Sequence, residues 1–585
     1  MPLAELRRTD LAGTQPLRRT IASLGARLRF GEREPWIVLA PLVVAQWIVV
    51  GAFALFFVER NGWLFYQGGD QTWFYTSAWM LAGGEIPETF VGYTLPFLYA
   101  PIAWIAGANI LAGLPAVLLF QFFVLLPLGL LLIYAIAARI GGRLLGYWAA
   151  ALWIAVPFLT IPLFVDRYHE TYVELTLPQV FGLTGLGDFP SMIAVLVAAY
   201  FGFRTLETRA TPDAVATGLA AGVAIGIKPA NGLFVFAPLV ALVFARQPRS
   251  ALVFAAALVP SLVALTAWKM RGSGISFLVQ DTIRLAAEAP PAFEPPDYQP
   301  PTRLDRLREY VPFDIDQLNY QFLGFREFFF SARVIEFVPI AGALAVARRS
   351  VPQAAFLATW LAAFFLVKGS SEAVNVETGS IWRLLMPAFP AYFLFLAAIP
   401  LLVPVWGERL AGRFPVRTRA FRLRSVAFVA AVVVFLAIPL AALAVLPPSQ
   451  GDRAAKLPHQ SLFVPQNADF GLAVEPVGDS LRLSWDSQSG ASAENFYVVF
   501  RSRPRTWFAQ AGGYVNEGIH CRPGGGSRRC TIEMTELERT SDTEYVFREA
   551  PGLWTYRVAL AANWRNDLTA GDPLVFSRPL TVEVR

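Results

Sequence analysis

Cysteine, histidine and lysine are scarce in this chain of 585 residues. There are two cysteines, three histidines and, among 49 basic residues, only four lysines. Two sulfur ligands, with the nearest histidine (His520) adjoining one of them, argue against a structural zinc site. Charge is sparse as well: 16% of residues are charged against 55% apolar, and the mean hydropathy is +0.48. A soluble protein of this size would not be so apolar over most of its length, so a polytopic membrane protein is expected. The net charge of +6 would fit a nucleic-acid partner, but its distribution excludes one. Arginines cluster in short links between apolar runs, the pattern that sets membrane topology. No small-residue cleavage site follows the basic start (Arg7, Arg8, Arg18, Arg19, Arg27, Arg29, Arg33), so residues 1–35 are read as a cytoplasmic N-terminal segment before an uncleaved span.

What is there is a series of apolar runs, at 36–58, 94–112, 114–137, 145–165, 189–204, 213–228, 230–245, 250–269, 332–347, 351–368, 383–405 and 426–447. With the links at Arg139/Arg143, Arg204/Arg209, Arg246/Arg249, Arg348/Arg349 and Arg409 to Arg424 placed inside, every run from 114 onward alternates and the C-terminal region lies outside. Only 94–112 breaks parity. Its two prolines, glycine and asparagine, with Gly113 just after it, suit a re-entrant segment, which needs protein or a water-filled cavity around it. The expected fold is a polytopic α-helical membrane protein of about eleven spans plus that segment, over 36–447; twelve full spans is the alternative. Outer loops then fall at 59–113, 166–188, 270–331 and 369–382. Within the third of these, "EAPPAFEPPDYQPP" reads as extended, and the aromatic stretch after it as an amphipathic surface helix.

Residues 448–585 lose the long apolar runs. From about residue 470 the period becomes two, in "LRLSW", "FYVVFRS", "TYRVAL" and "LTVEV", which argues an antiparallel all-β sandwich. Its layout, with Trp485 on the second strand and Tyr556 on the sixth, resembles a fibronectin type III domain. Cys521 and Cys530 flank the flexible "RPGGGSRR", and a disulfide between them fits an extracytoplasmic region.

Candidate chemistry gathers at the outer ends of the expected spans. Lys228, Lys269 and Lys368 all fall there; a lysine at such depth marks function or snorkels to the interface. Lys228 stands out because "GIKPANG" joins two apolar runs with almost no loop, and a cation so placed suits an anionic headgroup such as phosphate. Asp70, in "YQGGDQTWFYTSAWMLAGG", follows two glycines that permit close approach of a ligand, or it simply caps a helix. Trp73, three residues on, would belt the interface or stack on a sugar face. The second outer loop carries Asp166, His169, Glu170 and, after "GLTGLG", Asp188. HExxH is absent there; a divalent metal held by His169 and mixed carboxylates is one option, and no motif in the sequence assigns a cofactor. Arg383, in "WRLLMPAFPA", offers a bidentate fork for phosphate oxygens or an interfacial anchor.

Together these segments resemble the GT-C superfamily of membrane glycosyltransferases, which use polyprenyl-phosphate sugars. The match lies in "GGDQ", "GLGDFPSM", "GIKPANGLF" and "WRLLMPAFPA", in that order, over roughly 36–405. Asp70 lacks a second acid two residues away, which leaves metal dependence open. The resemblance implies a hexosyl- or pentosyltransferase of the cell membrane, moving a sugar from a polyprenyl-phosphate carrier to a cell-envelope glycan, lipid or protein. It implies Asp70 as catalytic base, Lys228 and Arg383 on the donor phosphate, and Asp188, Asp166, Glu170, His169 and Trp73 around sugar or acceptor. A lipid or glycan transporter is the competing class; it would favour internal repeats and midplane charges, and no repeat is visible. A third reading is a non-catalytic adhesion protein displaying the sandwich.

Overall fold

The structure, a computed structural model, describes residues 34–56, 70–87, 91–107, 110–160, 184–271, 313–371, 376, 380–404 and 418–448. In the C-terminal region it describes 466–488, 496–502, 514–516, 519–522, 529–532, 535–561, 575–578 and 580–584.

Apolar runs form helices because a backbone out of reach of water must satisfy its own N–H and C=O groups. In chain order these are α1 (Glu34–Phe56), α2 (Asp70–Ala82), α3 (Thr94–Ala106), α4 (Ile110–Phe120), α5 (Leu126–Gly141), α6 (Arg143–Ala155), α7 (Asp188–Thr208) and α8 (Thr211–Ile227). There follow α9 (Phe236–Phe244), α10 (Pro248–Arg271), α11 (Ile315–Phe328), α12 (Val338–Ala347), α13 (Val351–Gly369), α14 (Ser380–Leu385), α15 (Phe389–Ala398) and α16 (Thr418–Val445). Among the described residues, seven helical stretches are long and apolar enough to cross a membrane: Pro35–Phe53, Gly113–Gly141, Asp188–Thr208, Pro248–Arg271, Val351–Gly369, Ile381–Leu402 and Ser425–Val445. The runs expected at 145–165, 213–228 and 230–245 are shorter apolar helices of 10–17 residues. The run at 332–347 is a 3-10 turn followed by α12. A π turn at Gln121–Leu125 joins α4 to α5, and Pro229 opens a 3-10 turn after α8.

Polar side chains sort to the two ends of this bundle. At one end Arg204 of α7 pairs with Asp213 of α8 at 2.9 Å, and Asp213 also accepts from Thr208 (2.7 Å) and from Ser425 of α16. Arg139 at the foot of α5 pairs with Glu207 there. At the other end Asp188 opens α7 and Lys228 follows the last turn of α8. α16 runs from the first end to the second. There its Leu446 carbonyl accepts from Arg271, and the Ile86 N–H donates to the Pro447 carbonyl at 2.9 Å. Ile86 and Pro448 form an isolated parallel bridge.

α3 shows how 94–112 is used. Thr94 donates to the Val223 carbonyl (3.2 Å) near the Lys228 end of α8. The chain leaves at Gly107, whose carbonyl accepts from Tyr75 (2.9 Å), and α4 and α5 then run to the Arg139 end. Both flanks of α3 therefore belong to one end of the bundle. At 13 residues, about 20 Å, α3 is also too short to cross a hydrocarbon core of about 30 Å. Two flanks at one end of the bundle are the placement that a re-entrant or surface-lying segment would have.

The strap leading into α3 crosses α8 at backbone contact. A Cβ on Gly92 would stand 2.1 Å from the Gly226 carbonyl oxygen and 2.5 Å from that of Ile227. Trp268 donates to the Val91 carbonyl (3.0 Å) and Tyr93 to Ser261 (3.1 Å), so the strap has no room to retreat. Gly92→Ala is expected to destabilise the bundle by about 1–3 kcal/mol through overpacking. A thermal melt of the detergent-solubilised variant checks this, and a melt like that of the parent rules out so close an approach.

The C-terminal region is all β. Its strands are β1 (Gln466–Ala468), β2 (Ala473–Val477), β3 (Ser480–Ser484), β4 (Phe496–Ser502), β5 (Tyr514–Asn516), β6 (Ile519–Arg522), β7 (Arg529–Ile532), β8 (Thr535–Thr540), β9 (Glu544–Phe547), β10 (Gly552–Ala561), β11 (Val575–Ser577) and β12 (Leu580–Val584). One sheet has the order β2-β3-β9; the other runs β8-β4-β10, continued by β12 and β11. Tyr497 and Val499, two apart on β4, share a face, as do Tyr556 and Val558 on β10. With Phe470, Leu483 and Trp485 they form one apolar core. In a third small sheet, β6 pairs with β7 so that Cys521 stands opposite Cys530, the backbone placement that the expected disulfide requires.

Candidate functional site

The site is organised around a carboxylate with no access to solvent. Asp188 is the first residue of α7 and is 0% exposed. A buried charge is tolerated only when it is paired, and the N-terminus of a helix adds a favourable dipole. Asp188 is paired twice: Lys228 Nζ bonds Oδ1, and Arg383 Nη2 lies 3.4 Å from Oδ2. Beside this contact the two side chains stay 17% and 27% exposed. Lys368, at the end of α13, is close enough to Lys228 for their charges to repel. Two cations, one after the last turn of α8 and one on α14, thus meet on one carboxylate.

Each cation is placed by its local fold. Lys228 caps α8 in an extended conformation (φ −133°, ψ 119°), which Pro229 enforces on the residue before it. Arg383 rides on α14, a helix of six residues that would not hold its position alone. Its neighbour Trp382 is wedged among Phe325, Phe328 and Phe329, with ring centroids 4.9–5.5 Å apart. The first two of these belong to α11, whose start is capped by the Asp314 side chain accepting from the Asp316 and Gln317 N–H groups. The amphipathic outer helix expected from the sequence is therefore also the clamp on the arginine-bearing turn.

Asp70 is the first residue of α2, four positions before Phe74. The Phe74 ring packs on Gly187, where a Cβ would come within 2.7 Å of it, and Leu95 of α3 closes the same corner at 3.2 Å. α2 thus lies against the residue that precedes Asp188, and Asp70 stands one turn from that contact. Trp73, beside it, is 42% exposed. Asp166, His169 and Glu170 lie outside the described residues. Among the described residues, no three or more His, Cys, Asp or Glu side chains gather as a metal site would need.

Asp188, expected near sugar or acceptor, is fully buried, and each of its oxygens is bonded by one of the two cations. Lys368 was visible as one of the four lysines, but nothing in the sequence joined it to Lys228. Phe74 gave no signal beyond being one aromatic among several.

No family model matches the chain, and no curated protein matches it in sequence. Solved structures give distant likenesses. The Archaeoglobus fulgidus oligosaccharyltransferase in its apo form has 12% identity and a TM-score of 0.36, over 72% of this chain and 57% of that one. ArnT from Cupriavidus metallidurans, bound to undecaprenyl phosphate, has 14% identity and a TM-score of 0.39, over 70% and 72%. The archaeal oligosaccharyltransferase AglB from A. fulgidus, in complex with an inhibitory peptide and a dolichol-phosphate, has 14% identity and a TM-score of 0.36, over 73% and 58%. The chain thus spans a little over half the length of the archaeal enzymes. TM-scores below 0.5 give these likenesses no weight for fold or activity.

Proposed function

We propose that this chain is a membrane glycosyltransferase of the GT-C kind, taking a hexosyl or pentosyl unit from a polyprenyl-phosphate donor and passing it to a hydroxyl of an extracytoplasmic, cell-envelope acceptor (glycan, lipid or protein). The observation that carries this reading is the pairing of Lys228 and Arg383 through one buried carboxylate, with both side chains still partly exposed. Such a pair is pre-set for an anion that arrives from the membrane boundary. In the reaction the acceptor oxygen attacks the anomeric carbon of the sugar, and the bond from that carbon to the phosphate oxygen breaks. The electron pair leaves with the lipid phosphate, whose growing charge Lys228 and Arg383 stabilise. Asp70 takes the proton of the acceptor. Trp73 offers a face for the sugar ring. In this reading the Asp188 end of the bundle faces outward, and the sandwich, whose β2-β3-β9 and β8-β4-β10-β12 sheets suit a fibronectin type III-like module, lies on that side.

The transporter reading is disfavoured by the position of the charges. They sit at the ends of α7, α8, α13 and α14, not at half-depth, where alternating access would use them. The test is incubation of the purified protein with a panel of polyprenyl-phosphate sugars, following which one is consumed. Asp70→Asn, isosteric and unable to accept the proton, is expected to lower turnover about 10²–10⁴-fold while leaving donor binding in place. Full turnover by that variant would reject the base assignment.

A further inference from the structure

We infer that Asn231 is a positioning residue for Lys228, an inference that rests on the cation site proposed above. In "GIKPANG" the lysine carries the charge and the proline sets the turn. The asparagine is 1% exposed, on an apolar bundle where a buried amide is costly unless bonded. Its Nδ2 donates to the Ala224 carbonyl at 2.6 Å and to Ser191 Oγ at 2.5 Å. Its backbone N–H donates to the Lys228 carbonyl at 2.9 Å, while the Lys228 N–H donates to the same Ala224 carbonyl at 3.1 Å. The peptide groups on both sides of Lys228 are therefore tied down, and Asn231 takes part on each side.

The second donor of the amide reaches across to another helix. Ser191 lies on α7 three residues after Asp188, on the same face one turn further in. One planar amide with two N–H donors can bond two elements at once, which neither leucine nor an ionised aspartate can do. The distance from the Lys228 backbone to α7 is thus set by Asn231 as well as by the ion pair to Asp188. When a lipid phosphate competes with Asp188 for Lys228, the side chain is free to shift its partner while the backbone beneath it stays fixed. Asn231 touches neither sugar nor phosphate in this account; it acts through Lys228.

Lysine scarcity makes the test clean. The four lysines can be followed separately by peptide mass spectrometry after brief acylation of the full-length protein, with Lys456 as internal reference. Asn231→Leu is expected to raise the acylation rate of Lys228 relative to Lys456 by about three- to tenfold, the size of a coupling through one shared contact. Ser191→Ala, which removes only the interhelical acceptor, is expected to act in the same direction and more weakly; it serves if Asn231→Leu does not fold. In the donor assay Asn231→Leu is expected to raise KM more than it lowers kcat, and to have no further effect on KM in a Lys228→Met background. An unchanged Lys228 labelling rate in the folded variants overturns the inference, as does an equal KM effect with and without Lys228. Labelling needs no donor, so a protein that consumes no polyprenyl-phosphate sugar refutes the transfer reading and leaves the labelling result to decide the role of Asn231.

Discussion

Lys228→Met is expected to lower kcat/KM for sugar transfer by about 10²–10³-fold, the loss that follows removal of one pre-set electrostatic group from a transition state. Methionine keeps the unbranched side chain and much of its volume, so what is removed is the charge and its donors. The loss should fall on kcat as well as KM, because the phosphate gains negative charge as its bond to the sugar breaks. Lys228→Arg keeps the charge but replaces a compact ammonium with a wider planar fork, and an intermediate activity is expected. Single-turnover transfer at saturating donor reads the chemical step directly. A Lys228→Met enzyme within a few-fold of the parent would show that the cation holds the fold and not the leaving group.

The second large effect is on stability. Asp188→Ala is expected to cost about 3–5 kcal/mol, because it breaks a buried ion pair from one side only. Asp188 is inaccessible to solvent and is the shared partner of Lys228 and Arg383, so its loss leaves two like charges facing each other at the junction of α7, α8 and α14. Chemical denaturation in detergent measures the change. Lys228→Met combined with Asp188→Asn removes both members of the shorter pair, and it should regain much of the stability without regaining transfer. Equal stability of Asp188→Ala and the parent would mean that the carboxylate is not the organiser described here. Activity and fold are separable in this pair of experiments, since one variant loses mainly transfer and the other mainly stability.

Why could Asp188, Lys228 and Arg383 be found in the sequence at all? Each is a charge at the end of an apolar run, where the cost of burial makes an idle charge rare. Their meeting was legible only as a consequence of topology: the arginine links placed all three at one end of the bundle, and the structure brings them within one cluster. The division of labour among them was not legible. A single sequence states that Asp188 is acidic; it does not state that two cations from residues 40 and 195 positions away will occupy both of its oxygens. The same limit hid Phe74, whose contact with Gly187 depends on how α2 lies across the start of α7. Helix lengths were also harder to read than helix positions, because the prolines and π or 3-10 turns that shorten α6, α9 and α12 leave the apolar composition untouched. In the C-terminal region the period-two strands were plain; Trp485, expected on a strand, stands one residue past the end of β3 and, like Tyr556, packs in the apolar core. The order in which the strands pair is long-range information that no local pattern carries.

The junction at Ile86, Pro447 and Pro448 gives the protein a mechanical property. The final helix does not simply hand the chain to a loose tether: its end is stitched to Arg271 and to the stretch between α2 and α3. The end of α16 is thus joined to the segment that leads to Gly92, which bears on the backbone of α8. A load on that end would be shared between α16 itself and the segment packed beside the lysine-bearing turn.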